Sequence, residues 1–311
     1  MYDKVKLWLP MMSDTPDLTA HLERAKVQTD LATGEVSAVG YLGGLKVMAY
    51  GGGYSIIGSL AKFMFGSNVF TLDRRTTAQA IEKLADGLHY DCSLAKVTGL
   101  EFGTHFQMRK PVVEYLKKLG EMPRLLRYHF DAGTLYYKPR AKTPNKVFCF
   151  YDKNADAQAK GVLLPSGFED ANLLRYEMRL NSRLPAQTGF PFVDVAMLTN
   201  LDFYRALIKM WQASYFSISR QQQIKNNLMN DIKTVKDAFN VLVAQLISRS
   251  DKDQILSFVD ELKQAGVFED RKNYTRLKKK ILDVSKMADC PIVDDDIREL
   301  DEGVQNAGAY V

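Results

Sequence analysis

The chain has 311 residues, 46% of them hydrophobic and 25% charged, with a formal net charge of +5. That is an ordinary globular composition with enough apolar material for a packed core, and its length suggests two domains. Three cysteines, Cys92, Cys149 and Cys290, without a CxxC spacing argue against a disulfide framework and against a zinc site, so they read as reduced and structural. No run approaches the roughly 18 apolar residues that span a bilayer. The N-terminal "MYDKVKLWLPMMSDTPDL" also lacks the basic and apolar regions of a signal peptide, so the expectation is a cytoplasmic protein with no membrane partner.

In chain order, "KVKLWLP" and "GLKVMAYGGGYSIIGS" alternate as strands do, with Gly51–Gly53 interrupting the second as a turn or bulge. "TTAQAIEKLADGLH" carries Ala80, Ile81, Leu84 and Leu88 at helical spacing behind a Thr N-cap candidate. "KVTGLEFGTHFQM" returns to a strand. "PVVEYLKKLG" then reads as a helix opened by Pro111 and stopped by Gly120. "RLLRYHF", "TLYYKP" and "KVFCFYD" follow as strands, then the polar "KNADAQAKGVLLPSGFEDAN", then the strand "LLRYEMRL". This order predicts an α+β fold, an antiparallel sheet backed by helices.

From about residue 200 the period is helical throughout, in "NLDFYRALIKMWQASYF", "TVKDAFNVLVAQLIS", "DKDQILSFVDELKQAG" and "NYTRLKKKILDVSKM". The predicted division is therefore a sheet domain over 1–200 and a helical domain over 201–311. Residues 271–286 carry seven basic side chains against one acidic, and residues 288–303 carry seven acidic against one basic. Such asymmetry suggests a polyanion-binding element followed by an acidic tail that screens it, or a solvated helix face neutralised by its neighbour. The helices near 251–266 and 273–287 suggest a helix-turn-helix-like pair. Its second helix buries Leu277, Ile281 and Val284 and turns Arg276, Lys279 and Lys280 towards DNA phosphates.

The stretch "KVFCFYDKNADAQAK" raises a chemical question, because a strand there ends by setting a phenol beside a carboxylate and an ammonium. Strand alternation places Cys149, Tyr151 and Lys153 on one face. A cation beside a phenol favours its anion, so Tyr151 with Lys153 makes a candidate nucleophile. "GLEFGTHF" aligns Glu101, Gly103 and His105 on one face, and "LLRYEMRL" aligns Arg175, Glu177 and Arg179. Glu101, His105 and Glu177 together make a candidate site for Mg²⁺ or Mn²⁺.

The order "GLEFGTHF … TLYYKPR … KVFCFYDKNAD … NLLRYEMRL" resembles the rolling-circle replication initiators of small plasmids and the phage/plasmid replication proteins of the filamentous-phage kind. The resemblance spans roughly residues 40–180. It implies a tyrosine, matched by Tyr151, that ends a strand before Asp/Asn and Lys, an arginine closing the preceding strand, matched by Arg140, and a glutamate after Arg-x, matched by Glu177. It departs from the family pattern at Gly99, where arginine is usual, at Glu101, which replaces aspartate, and at His105, which stands where a second acid is frequent.

The implied activity is a metal-dependent nick in one DNA strand at a replication origin. The products would be a 5′-phosphotyrosine and a free 3′-hydroxyl, and the strand would later be rejoined. Lys153 and Arg140 would neutralise developing charge, Arg175 would touch DNA, and Asp152 would either orient Lys153 or reach the metal. Tyr137 and Tyr176 stand as further tyrosines for a second nucleophile. The expected partners are origin DNA, a host helicase and polymerase, and a second copy of the chain. A catalytically silent DNA-binding regulator of the same fold and a mobilisation relaxase are the alternatives.

Overall fold

The strands form where β-branched and aromatic residues alternate with polar ones, and hydrogen-bonded neighbours then bring distant segments side by side. The structure, a computed structural model, describes residues 1–12, 15–93, 95–130, 133–220, 233–248, 252–288 and 295–308. The strands are β1 (Tyr2–Pro10), β2 (Glu23–Thr29), β3 (Val36–Leu42), β4 (Leu45–Tyr50), β5 (Gly53–Ser59), β6 (Lys96–Met108), β7 (Leu126–Phe130), β8 (Thr134–Lys138), β9 (Lys146–Asp152) and β10 (Asn172–Leu180). They build a ten-stranded sheet in the order β2-β3-β4-β5-β1-β6-β10-β9-β8-β7. Every neighbouring pair is antiparallel. The α+β expectation holds.

Two strands, β2 and β3, were not legible. β2, "ERAKVQT", is exposed at all seven positions, so no face of it carries an apolar signal, and it pairs with β3 at the sheet's edge. In β3, "VSAVGYL", the one buried position is a glycine. The glycine run between β4 and β5 is a hairpin turn: Gly51 and Gly52 both have positive φ, 55° and 77°, which glycine adopts without a Cβ penalty. The helix over Arg74–Leu88 starts before the expected Thr-capped segment. Asp73 is its N-cap, in a capping box with Thr76.

One sheet face is sealed by helices. Phe102, Phe148, Phe150, Tyr176 and Met178 project there and meet the helix Leu201–Phe216, whose Phe203, Leu207, Trp211 and Tyr215 are fully buried. Tyr176 stacks between Phe150, centroids 4.2 Å apart, and Trp211, 4.6 Å away. Each such side chain contributes about 1.5–3 kcal/mol by leaving water.

This burial moves the expected boundary at residue 200. The chain divides into a unit of residues 1–221 with 295–311, and a second unit of residues 222–294. The helix at 201–216 belongs to the sheet unit because its apolar stripe is that unit's core. The helix Asp295–Asn306 also belongs there, contributing Leu300 and Val304, both at 0% exposure. The expectation of a screening acidic tail is thereby corrected over the described residues. Glu299 accepts from Tyr115 Oη and pairs with Arg109, and Asp301 accepts from Tyr215 Oη and Arg220, so these carboxylates bind the sheet unit's own residues. Residues 289–294 lie outside the described set.

The second unit contains the helices Val235–Ser248, Lys252–Gln264 and Lys272–Ala288 around a small core of Ala244, Ile247 and Val284, with Ile255 and Ile281 against it. Gly266 ends the middle helix at φ 67°. The basic helix packs chiefly on Val235–Ser248 and less on Lys252–Gln264, so its main partner is not the one expected for a helix-turn-helix pair. Arg276, Lys279 and Lys280 are exposed on it, as its periodicity predicts. Among the described residues no helix is long and apolar enough to cross a membrane.

Candidate active site

Antiparallel pairing points the side chains of opposed residues to the same face. On the face away from the core helices, Tyr151 of β9 opposes Arg175 of β10, and Cys149 opposes Glu177. On the far side of β10, Arg175 opposes His105, Glu177 opposes Gly103, and Arg179 opposes Glu101 of β6. Gly103 makes this approach close: a Cβ built there would overlap the Tyr176 carbonyl oxygen and stand 2.9 Å from Glu177 Cα. β1 lies on the other side of β6 and carries Asp3 into the same place.

The resulting cluster is dense in charge. Tyr151 Oη donates to Glu177 Oε1 at 2.9 Å. The same carboxylate oxygen accepts from Arg175 Nε, and Glu177 Oε2 accepts from Arg179 Nη2 at 2.7 Å and Nε at 3.0 Å. Arg175 Nη2 pairs with Asp3 Oδ2, which also accepts from Asn68 Nδ2 at 3.1 Å. Asp3, Glu101 and Glu177 each offer a carboxylate oxygen within 4.8 Å of the others. A cleft of about 260 Å³ opens over Asp3, Glu101, Tyr151, Lys153, Glu177 and Arg179.

Burial alone would raise the Glu177 carboxyl. The guanidinium groups of Arg175 and Arg179 outweigh it, with hydrogen bonds from Arg179 and Tyr151, and hold it down at about 2. Glu101 moves the opposite way, raised by burial and then by the Glu177 charge beside it, against Arg179 and Lys4. The Tyr151 phenol is pushed well above its ordinary value, first by burial and then by Glu177, against Arg175. Tyr151 therefore rests as a neutral phenol hydrogen-bonded to an ionised carboxylate. Burial and then the Arg175 charge also lower Lys153.

The structure brings Tyr151, Lys153, Glu101 and Glu177 together, and it relocates other expected site residues. His105 is not with the carboxylates. Arginine can only donate, so the 2.7 Å approach of Arg175 Nη1 makes His105 Nε2 an acceptor and commits its lone pair. Burial and then the Arg175 charge push the His105 pKa well down. Asp3 takes its place beside Glu101 and Glu177.

Arg175, expected on DNA, is 0% exposed and fully engaged by Glu177, Asp3, His105 and the Asn68 carbonyl. Arg140 is exposed beyond the far end of β8, whereas Tyr151 pairs with Thr134 at that strand's start. The hairpin thus carries Arg140 on the order of 20 Å away from Tyr151, and Arg179 is the exposed-side arginine that reaches the cleft. Asp152 neither orients Lys153 nor joins the carboxylates. Its Oδ1 accepts from the Asn154 and Ala155 backbone N–H groups, capping the helix Lys153–Ala159. Lys153 accordingly begins a helix rather than prolonging β9, and its Nζ donates to Asn68 Oδ1 at 3.0 Å and pairs with Asp156 at 3.6 Å.

Tyr137 and Tyr176 point into the opposite, helix-covered face. Tyr137 Oη donates to the Gly120 carbonyl at 2.8 Å and Tyr176 Oη to the Trp211 carbonyl at 3.0 Å, so both are core residues.

Sequence reasoning missed Asp3 and Asn68. A single acid out of phase in the apolar "YDKVKLWLP" was the available signal for Asp3, and Asn68 had none. Three converging carboxylates, one with a raised pKa caused partly by another, are a donor set suited to a hard divalent cation such as Mg²⁺ or Mn²⁺. The residues present fit such an ion.

No curated protein matches the chain. A solved structure, that of the rolling circle replication initiator protein from Geobacillus stearothermophilus, is similar to it at a TM-score of 0.39 and 12% identity, over 72% of this chain and 87% of that one. The phage CRI family, described as the N-terminal part of a replication-associated protein, matches residues 1–200, which hold all the strands and every residue of the cleft. With that match over most of its length, the chain belongs to the phage CRI replication-associated family, the phage and plasmid Rep proteins that its tyrosine, arginine and glutamate motifs resemble.

Proposed function

We propose that the protein initiates rolling-circle replication by nicking one strand of origin DNA with Tyr151. The observation that carries this reading is the hydrogen bond from Tyr151 Oη to Glu177 Oε1, at the edge of three converging carboxylates in an open cleft. In the step, Tyr151 Oη attacks the scissile phosphorus, its proton leaves towards Glu177, the bond from phosphorus to the 3′-oxygen breaks, and that oxygen departs to take up a proton as the 3′-hydroxyl. The strand's 5′-phosphate stays on the tyrosine as an ester. The phosphodiester energy is thereby kept, and the reverse attack by a 3′-hydroxyl rejoins the strand without a nucleotide cofactor.

Asp3, Glu101 and Glu177 would hold Mg²⁺ or Mn²⁺, which would supply charge neutralisation at the phosphate and at Glu177, easing loss of the phenol's proton. Arg175 holds Asp3 and Glu177 in place from beneath. Arg179 fixes the other oxygen of Glu177 at the cleft. Lys153, held by Asn68 and Asp156, stands where it neutralises charge on the attacked phosphate. The free 3′-end serves a host polymerase, and a helicase opens the strand ahead of it. Arg276, Lys279 and Lys280 of the second unit supply phosphate contacts at the origin.

The test is incubation of the protein with a supercoiled plasmid carrying its native replicon and Mg²⁺ or Mn²⁺, beside Tyr151→Phe. Products are compared on a denaturing gel with and without protease. A protease-sensitive, 5′-linked nick made only by the wild type supports the reading. Equal nicking by Tyr151→Phe sinks it, and absent nicking with origin binding intact favours a silent-site regulator.

A further inference from the structure

The hairpin β7–β8 closes one edge of the sheet on the cleft's own face. Tyr128 opposes Tyr136, Phe130 opposes Thr134, and Thr134 opposes Tyr151. Pairing therefore sets Tyr128, Phe130 and Tyr136 on the same surface as Tyr151, Glu177 and Arg179. Two strand spacings separate Phe130 from Tyr151, about 10 Å.

The three rings form a continuous surface. Tyr128 and Phe130 are stacked, with centroids 6.4 Å apart and planes at 16°, and Phe130 meets Tyr136 edge-on at 5.6 Å. Phe130 is 50% exposed, and no helix among the described residues covers it as the 201–216 helix covers the opposite face. Cations border the rings: Lys138 Nζ lies 4.7 Å over Tyr128, and the Arg179 guanidinium lies 5.9 Å over Tyr136. Arg179 also pairs with Glu177 and Glu101, so one side chain joins the aromatic surface to the carboxylate cluster. Beyond Lys138 the chain continues into Arg140 and Lys142, both exposed.

Exposed aromatic faces bordered by cations suit an occupant that is flat and apolar on its faces and anionic along its backbone. Single-stranded DNA has that chemistry, because its bases stack on rings while its phosphates meet lysine and arginine. A duplex hides its base faces and cannot stack there. An apolar protein partner would use the rings and leave the cations unmatched.

We propose that Tyr128, Phe130 and Tyr136 form a base-stacking platform for single-stranded DNA beside the nicking centre, with Lys138 and Arg140 taking its phosphates. It rests on the proposed nicking reading only in that the strand so held is the one that reaches Tyr151. The displaced Arg140 thereby gains a part: it meets the strand at a distance from the scissile phosphate instead of stabilising the attack on it.

The test is fluorescence anisotropy of the full chain with a fluorescein-labelled oligothymidylate, and with a labelled duplex of the same length, at fixed salt. Tyr128→Ala and Phe130→Ala are each expected to weaken single-strand binding by roughly tenfold, the worth of one base–aromatic stack, and to leave duplex binding and thermal melting unchanged. Phe130→Trp is expected to bind as the wild type and to lose tryptophan emission, relative to the wild type's own change, when oligothymidylate is added. Wild-type levels of binding by both alanine variants, or no binding of oligothymidylate by the wild type, would overturn the platform. So would an emission change in Phe130→Trp no larger than that of the wild type. Tyr151→Phe separates the two readings: nicking that survives in it removes the nucleophile and leaves the platform standing, and unimpaired binding by the alanine variants removes the platform and leaves the nucleophile standing.

Discussion

Tyr151, Glu177 and Glu101 show how neighbouring charges set what a residue does. Replacing Tyr151 with Phe removes one oxygen and is expected to abolish nicking, by about a thousandfold or more in rate, as loss of a nucleophile does. Glu177→Gln leaves the buried guanidinium of Arg175 and that of Arg179 without their shared counter-charge. It is expected to cost about 3–5 kcal/mol in denaturant unfolding, the range for breaking a buried pair. The pH dependence has a definite sign. Glu177 ionises more readily folded than its ordinary 4.5, so its stabilisation is complete above that pH and is lost as pH falls towards about 2. Glu101 is raised, so its ionised form opposes folding, and Glu101→Gln is expected to raise the melting temperature at neutral pH while lowering Mg²⁺ or Mn²⁺ affinity. A melting temperature that falls in Glu101→Gln would contradict this assignment. Tyr151 and the two glutamates were legible because short motifs carry them. Arg175 was misread, because its charge suggests solvent while its 0% exposure is imposed by β1 and β6, which lie far from it in sequence.

At the level of elements, the junction of β9 with the helix Lys153–Ala159 decides where Lys153 points. Asp152→Ala removes that helix's N-cap and is expected to cost about 1 kcal/mol in thermal unfolding. Nicking should fall by less than in Tyr151→Phe, since Lys153 is displaced and the nucleophile is kept. Gly103→Ala presses a methyl group against the β10 backbone. It is expected to destabilise the protein by about 1–3 kcal/mol and to impair nicking by moving Glu177 away from Glu101. The alternation in "KVFCFYD" and "LLRYEMRL" showed these strands, but a helix of seven residues opening on Lys153 was hidden in a polar stretch with no apolar stripe. Arg140 illustrates a second limit: it follows a strand whose motif is correctly read, and antiparallel reversal then carries it to the wrong end of the site.

For the whole molecule, division into units separates the proposed chemistry from the proposed origin contacts. Arg276→Ala, Lys279→Ala and Lys280→Ala together are expected to weaken duplex binding uniformly across sequences and to lower the slope of log affinity against log salt by about one for each phosphate no longer neutralised. Nicking of a single-stranded oligonucleotide should be unaffected. An unchanged salt slope would remove the basic helix from DNA binding. The return of residues 295–306 to the sheet unit makes truncation before them costly, since Leu300 and Val304 are core residues.

Local pattern by itself determined the α+β class, eight of the ten strands, the nucleophile candidate and two of the three carboxylates, because alternation and short motifs are properties of adjacent residues. Only the tertiary structure decided that Asp3 replaces His105, that Arg175 lies beneath the site, that Asp152 caps a helix, and that the 201–216 helix belongs to the sheet. Each of these depends on which segments become neighbours across the sheet, and on which side chains that pairing then removes from water.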